Sequence, residues 1–199
     1  MRDRPAADPL PIHDHAAENL RYIRAAMERA GTFTAVPGWG TIAVGVSAVA
    51  ASLVAGRDST APRWLYVWMA EACFATVIAG FAIVLKARAT STALTSGPAR
   101  RFALAFVPAL VAGLVLTAVL WNRGLRAEVT PMWLLLYGTA VMAGGALSVR
   151  IVPVMGLAFG ALGLAAFFLP TSAMPAVMVI GFGLLHVIFG ALIARYHGG

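Results

Sequence analysis

Residues Phe102–Trp121 read FALAFVPALVAGLVLTAVLW, a run without one charged side chain. A helix of about 20 apolar residues crosses the ~30 Å hydrocarbon core of a bilayer, because each residue adds about 1.5 Å. Transmembrane strands would need alternating polarity over about 10 residues, and this run is apolar on every side. The stretch therefore predicts a transmembrane helix.

Five further runs of the same kind lie on either side of it, in a chain that is 60% hydrophobic and 12% charged, with a mean hydropathy of +0.83. We predict an all-α, polytopic membrane protein with a six-helix bundle over residues 37–195, a polar segment over 1–36 and a tail over 196–199. The predicted spans are Gly38–Gly56, Trp64–Leu85, Phe102–Trp121, Pro131–Val149, Ile151–Pro170 and Met174–Ala194. We expect the turn between the fourth and fifth spans to reach Pro153, because so few residues separate the two runs.

Positive charges predict the orientation of the bundle. The chain has fourteen arginines and one lysine. Eleven of these fifteen lie in the N-terminal segment, in the 86–101 loop, at Arg150 and at Arg195, and the other side has Arg57, Arg63, Arg123 and Arg126. The positive-inside rule then places both termini in the cytoplasm. Aromatic residues agree, since most fall near the predicted outer interface: Trp64, Tyr66, Trp68, Trp121, Trp133 and Tyr137.

Composition also indicates the setting of the protein. Abundant Ala, Gly and Arg with almost no Lys suit a bacterium of high genomic GC, so we expect a bacterial inner (cytoplasmic) membrane. The net charge of +7 sits in short clusters at the ends of apolar runs, and no basic stripe with interleaved aromatics is present. We therefore expect membrane lipids as partners and no nucleic acid.

The N-terminal segment predicts a short amphipathic helix over about residues 15–30, capped by Asp14. Leu20, Ile23 and Met27 recur at helical spacing on one face, and charged residues fall on the other. Such a helix suits an anchor on the inner membrane surface. A docking site for a cytoplasmic partner at residues 14–30 is the alternative. No apolar region typical of a cleavable signal peptide precedes Gly38, so we expect the first span to stay as an anchor.

Glu71 and His186 are the strongly ionisable residues inside the predicted spans. Charges are costly in hydrocarbon, so both are candidates to carry or relay a proton, with the Tyr137 hydroxyl as a nearby polar group. The alternative for each is a neutral side chain that forms a hydrogen bond to a neighbouring helix. A direct pair between them requires that the second and sixth spans touch at the same depth.

Small residues predict where helices pack. Gly156 and Gly160 form a GxxxG motif in the fifth span. On the first span, Ala43, Ser47 and Ala51 form one seam, and a neighbouring row includes Val44 and Ala48. We expect Gly160→Leu to disrupt assembly if the GxxxG seam is buried. These stripes also suit a homo-oligomer or a larger membrane complex.

Two further patterns concern the shape of the spans. Pro108 lies inside the third span and is expected to bend it. The triplets Pro37-Gly38-Trp39 and Pro131-Met132-Trp133 open the first and fourth spans, which suggests an inverted repeat of three spans, although the remaining spans do not align.

Catalytic, metal and cofactor motifs are lacking. No HExxH, GxSxG, P-loop or dinucleotide fingerprint occurs, so we predict that the protein is not an enzyme. His186 alone cannot supply two axial ligands to a haem, residues 13–15 (HDH) lack the further ligands of a zinc site, and Cys73 has no partner for a disulfide. We expect no cofactor and no metal.

Two functional hypotheses follow. The first is a carrier or pore subunit for a small solute or for protons, based on Glu71, His186 and Pro108. The alternative is a non-catalytic accessory or sensory membrane subunit that recruits a cytoplasmic partner through the N-terminal amphipathic helix.

Overall fold

The computed structural model of the protein describes residues 18–24, 26–27, 31, 33–91 and 93–197. The chain divides into two compact units, Met1–Gly31 and Thr32–Gly199. In the first unit, residues 18–24 and 26–27 are helical, and the side chains of Leu20 and Met27 are exposed. The predicted cap at Asp14 lies outside the described residues, as does the HDH sequence at 13–15.

The described part of the second unit is all-helical. Its helices are α1 (Gly38–Ala55), α2 (Pro62–Ala89), α3 (Gly97–Asn122), α4 (Val129–Gly145), α5 (Ile151–Ala166) and α6 (Thr171–His197). Four of them, α1, α2, α3 and α6, are long and apolar enough to cross a membrane. With 17 and 16 residues, α4 and α5 are shorter than the about 20 residues of a typical span.

The turn between α4 and α5 is placed differently from the prediction. It occupies residues 146–150, and Pro153 lies in the first turn of α5 rather than in the connection. The first turn of a helix tolerates proline, because its backbone N–H groups have no partner inside the helix. The turn is held from outside by Phe33, whose N–H donates to the Leu147 carbonyl at 2.7 Å and whose carbonyl accepts from the Ser148 hydroxyl at 2.6 Å.

Two helices organise the bundle. α1 packs mainly against α2 and α6, and α4 packs mainly against α3 and α5. Glycines bring the backbones of α4 and α5 into contact, since a Cβ on Gly138 would lie 2.5 Å from the Gly160 nitrogen and one on Gly156 would lie 2.5 Å from the Met142 nitrogen. Small residues replace the hydrophobic effect as the basis of helix association in lipid, and this pair follows that rule.

Some of the predicted packing residues lie elsewhere. Ala51 is buried, but Ala43 is exposed, because the buried face of α1 is the neighbouring row that includes Val44 and Ala48. Nothing lies within 4 Å of the β position of Gly160. The condition set for disruption by Gly160→Leu, a buried seam, is therefore met at the β positions of Gly138 and Gly156 rather than at that of Gly160.

The tryptophans near the start of α2 are also placed differently. Trp64 and Trp68, expected in a belt of interfacial rings, are buried inside the bundle at 0% and 4% exposure. Trp64 stacks on Trp133 with ring centroids 5.5 Å apart, and the Trp133 indole N–H donates to the Thr117 hydroxyl at 2.6 Å. These contacts connect α2, α3 and α4 at the end of the bundle where α2 begins.

Candidate functional site

A buried imidazole and a phenol form the most distinctive polar contact in the bundle. His186, on α6, is 3% exposed, and its Nε2 lies 2.7 Å from the hydroxyl of Tyr137 on α4. His186 follows Val179–Leu185, a π-helical segment within α6. Such segments are rare and occur frequently at functional sites. The structure thus joins two of the predicted polar residues, which lie 49 positions apart in the chain.

Aromatic rings surround the imidazole. The ring centroids of Tyr137, Phe159 and Phe182 lie 5.3, 5.1 and 6.1 Å from that of His186. Phe159 is fully buried. This packing fixes the imidazole orientation and surrounds its hydrogen bond with apolar surface, where a polar interaction is stronger than in water.

The second nitrogen of the imidazole forms no well-aligned hydrogen bond within the described part of the chain. His186 Nδ1 is buried and has no hydrogen-bond partner among the described residues. In one tautomer Nε2–H donates to Tyr137 and Nδ1 keeps a free lone pair, and in the other Tyr137 donates to Nε2 and the Nδ1–H faces the backbone carbonyls of Gly181 and Phe182 without a well-aligned hydrogen bond. In the first tautomer the ring therefore retains one unused position for a proton, at Nδ1.

Glu71 lies in a separate polar contact between α1 and α2. Its Oε1 accepts a hydrogen bond of 2.7 Å from the Ser47 hydroxyl, and the same hydroxyl lies 2.9 Å from the Val44 carbonyl oxygen. Glu71 is 9% exposed. A hydroxyl has one proton, so it cannot fully satisfy two acceptor oxygens at once.

Glu71 and His186 therefore have different partners, and the direct pair considered from the sequence is not formed. Their helices do touch. Trp68, one turn before Glu71, packs against Phe182 with ring centroids 6.2 Å apart, and Phe182 stacks on His186. The Trp68 indole N–H is buried without a partner among the described residues. Rings rather than a shared hydrogen bond link the two polar contacts.

The sequence does not predict the contacts of Lys86, because the positive-inside rule treats this residue only as one positive charge of the 86–101 loop. Lys86 is 7% exposed, and its ammonium donates to the carbonyl of Val36 at 2.8 Å and to the carbonyl of His197 at 3.0 Å. The second carbonyl belongs to the last turn of α6, where the helix dipole favours a cation. The signal was present, because Lys86 is the single lysine beside fourteen arginines.

The remaining candidates have less distinctive surroundings. α3 continues through Pro108, which lines a groove on the exposed face of that helix. Cys73 is exposed. Among the described residues, no three His, Cys, Asp or Glu side chains group as metal ligands do.

Comparison with models of protein families, with curated proteins and with solved structures finds no match to this chain.

Proposed function

We propose that this chain is a six-span, multi-pass membrane protein that conducts protons, with His186 and Tyr137 as its proton-binding pair. One observation carries the proposal: a buried imidazole has one nitrogen hydrogen-bonded to a hydroxyl, and its other nitrogen has no well-aligned hydrogen-bond partner among the described residues. A proton accepted at Nδ1 produces an imidazolium, and its Nε2 proton can move to the Tyr137 oxygen only as the phenol releases its own hydroxyl proton to a water molecule, which leaves both side chains neutral. The imidazole then passes a proton from one side of its ring to the other.

The surroundings favour a proton over a larger solute. Three aromatic rings pack against His186 at centroid distances of 5.1 to 6.1 Å, so a solute would have to displace them. A proton needs only a chain of hydrogen-bonding groups. We therefore narrow the expected cargo from a small solute or proton to the proton itself.

Glu71 is the proposed second proton-binding group. A protonated Glu71 could donate to Ser47, which would then donate to the Val44 carbonyl, and every oxygen in this contact would have a suitable partner. Loss of the Glu71 proton would leave a carboxylate at membrane depth with one shared donor, which is costly in hydrocarbon. The Glu71 carboxyl group is therefore suited to bind a proton and to release it again.

The arrangement of helices supports a transport function. α1 pairs with α2 and α6, whereas α4 pairs with α5 and α3. If the two halves of the chain are equivalent, α1, α2 and α3 correspond to α4, α5 and α6. Under this correspondence, the contacts of α1 with α2 and α6 become the contacts of α4 with α5 and α3. In an up-and-down bundle, two helices that are three apart in the chain run in opposite directions. This pairing therefore suits an inverted repeat of the kind found in transporters.

In this proposal α4 and α5 also span, as the fourth and fifth of six helices. The excess of arginine at one end supports an orientation with both termini in the cytoplasm, at a bacterial inner membrane. A thinner local bilayer or an adjustment of flanking side chains accommodates their shorter length.

Proton flux into proteoliposomes containing the full chain tests the proposal, with a pH-sensitive dye inside the vesicles and an imposed potassium diffusion potential. We expect His186→Asn to reduce the flux to that of empty vesicles, and Tyr137→Phe and Glu71→Gln to reduce it at least tenfold. Each of these variants preserves the approximate size of the side chain it replaces.

Matched controls separate proton binding from general damage. His197 lies on α6, as His186 does, and is exposed, so His197→Asn is one control. Tyr66→Phe, the other control, removes an exposed hydroxyl. Both should retain the wild-type flux. If His186→Asn conducts protons as fast as the wild type while its reconstitution is equal, the proposal is wrong.

A second function, recruitment of a cytoplasmic partner, is favoured by the N-terminal helical residues. Leu20, Ile23 and Met27 are 67%, 52% and 69% exposed, and Arg21 and Arg24 lie between them. In this alternative the spans only anchor an accessory subunit. Affinity purification with and without residues 1–30 tests it, since unchanged recovery of partners after the deletion would remove its basis.

A further inference from the structure

A groove on the exposed face of α3 combines an apolar wall with one cation. Its volume is about 510 Å³, and it is lined by Arg100, Ala103, Leu104, Val107, Pro108 and Val111. These positions follow helical spacing along a single face, and all of them are exposed. In a helix that crosses a membrane, this face meets lipid.

The length of the groove matches one leaflet. The eleven steps along the helix from Arg100 to Val111 rise about 16 Å, at about 1.5 Å per residue. Half of a ~30 Å hydrocarbon core is about 15 Å. The apolar part of the groove therefore extends from the membrane surface to about the midplane, which is the depth that one acyl chain occupies.

Arg100 has no counter-ion in the part of the chain that the structure describes. Among the described residues its guanidinium forms no hydrogen bond and no ion pair. No Asp or Glu occurs between Glu71 and Glu128, so neither α3 nor the loop before it contains an acidic side chain. Arg100 also lies in the first turn of α3, where the helix dipole adds positive potential.

We propose that this groove binds one anionic phospholipid, with an acyl chain along Val107 and Pro108 and the phosphate against Arg100. A guanidinium is well suited to a phosphate, because its N–H groups match two phosphate oxygens. Pro108 contributes by exposing a helix face without a long side chain. The inference requires that α3 crosses a membrane, and it does not depend on proton conduction.

Native mass spectrometry of the full chain in detergent tests the site, with phosphatidylglycerol and phosphatidylcholine of identical acyl chains as probes. We expect one phosphatidylglycerol molecule to be retained in preference to phosphatidylcholine. Arg100→Gln should weaken phosphatidylglycerol binding about fivefold, the contribution of one cation at an anionic surface. Val107→Trp fills the groove and should abolish retention of both lipids.

The control is Arg123→Gln, which removes an exposed arginine at the opposite end of α3 and should leave binding unchanged. Equal retention of the two lipids, or equal loss in Arg100→Gln and Arg123→Gln, would mean that only bulk lipid covers this face and would overturn the proposal. Displacement of the lipid by inorganic phosphate would also overturn it, since the site would then recognise free phosphate. A groove that binds lipid in a chain without proton flux would leave this inference standing and remove the proposed function.

Discussion

Substitution of Lys86 by methionine gives the clearest test of how the bundle is held at one end. Met keeps most of the apolar stem and removes the ammonium. Two carbonyl oxygens, of Val36 and His197, then lose a charged donor at 2.8 and 3.0 Å. These carbonyls lie before the start of α1 and in the last turn of α6, so the ammonium joins α2 to both helices.

The size of the effect follows from these two hydrogen bonds. A hydrogen bond to a charged group contributes about 1.5–3 kcal/mol, so two of them contribute about 3–6 kcal/mol. We expect about 3 kcal/mol, the lower limit, because Lys86 lies at the end of the bundle where water can partly replace it. For a chain of this length, 1 kcal/mol corresponds to about 2–4 °C, which predicts a decrease in Tm of about 6–12 °C.

Thermal unfolding of the purified protein in detergent, followed by near-ultraviolet circular dichroism, measures this change. Arg88→Met is the matched control, since Arg88 lies two residues further along α2 and is exposed. Surface substitutions of this kind change stability by less than about 0.5 kcal/mol. Equal Tm values for the two variants would refute the idea that the Lys86 ammonium stabilises the fold.

The remaining predictions concern helix packing and an exposed loop. Gly156→Leu should lower the free energy of unfolding by at least about 3 kcal/mol, because its Cβ would lie 2.5 Å from a backbone nitrogen of α4. Gly160→Ala should change the free energy of unfolding by less than about 0.5 kcal/mol. The same thermal unfolding assay compares the two variants. Hydrogen bonds from the Thr60 hydroxyl and N–H lower the pKa of Asp58. The stability that this contact adds is therefore present at a pH above the ordinary pKa of an aspartate, and it is lost as the pH falls through the lowered pKa of Asp58. Thr60→Val removes the hydroxyl and should raise the Asp58 pKa, which a carboxyl carbon-13 NMR titration detects; an unchanged pKa would contradict this assignment.

The helices could be predicted because a long apolar run has few alternatives in lipid. Each of the six predicted segments corresponds to a helix in the structure, but the ends differ. α2 begins at Pro62 and continues to Ala89, beyond the predicted Leu85, because charged and small residues at its end can continue a helix after the apolar run has stopped. The end of α4 depends on a contact with Phe33, which is distant in sequence and gives no local signal.

Partners within the bundle could not be predicted, because sequence position gives the depth of a side chain in a membrane but not the direction in which its helix is rotated. Depth alone predicts that His186 and Glu71 are polar groups within the spans. Their partners, Tyr137 and Ser47, depend on which helices are neighbours and on which faces meet. Hydropathy says little about rotation here, because these helices are apolar on every face.

Lys86 shows what kind of signal can supply this missing information. Its position at the end of an apolar run is the same as that of several arginines, so charge counting treats them alike. A compact ammonium can direct three hydrogens to separate carbonyl oxygens in a small buried space, whereas a planar guanidinium is larger and suits flat anionic partners. In a chain that otherwise uses arginine for every cation, one lysine therefore marks a position where the shape of the cation matters, and that argument requires no knowledge of the fold.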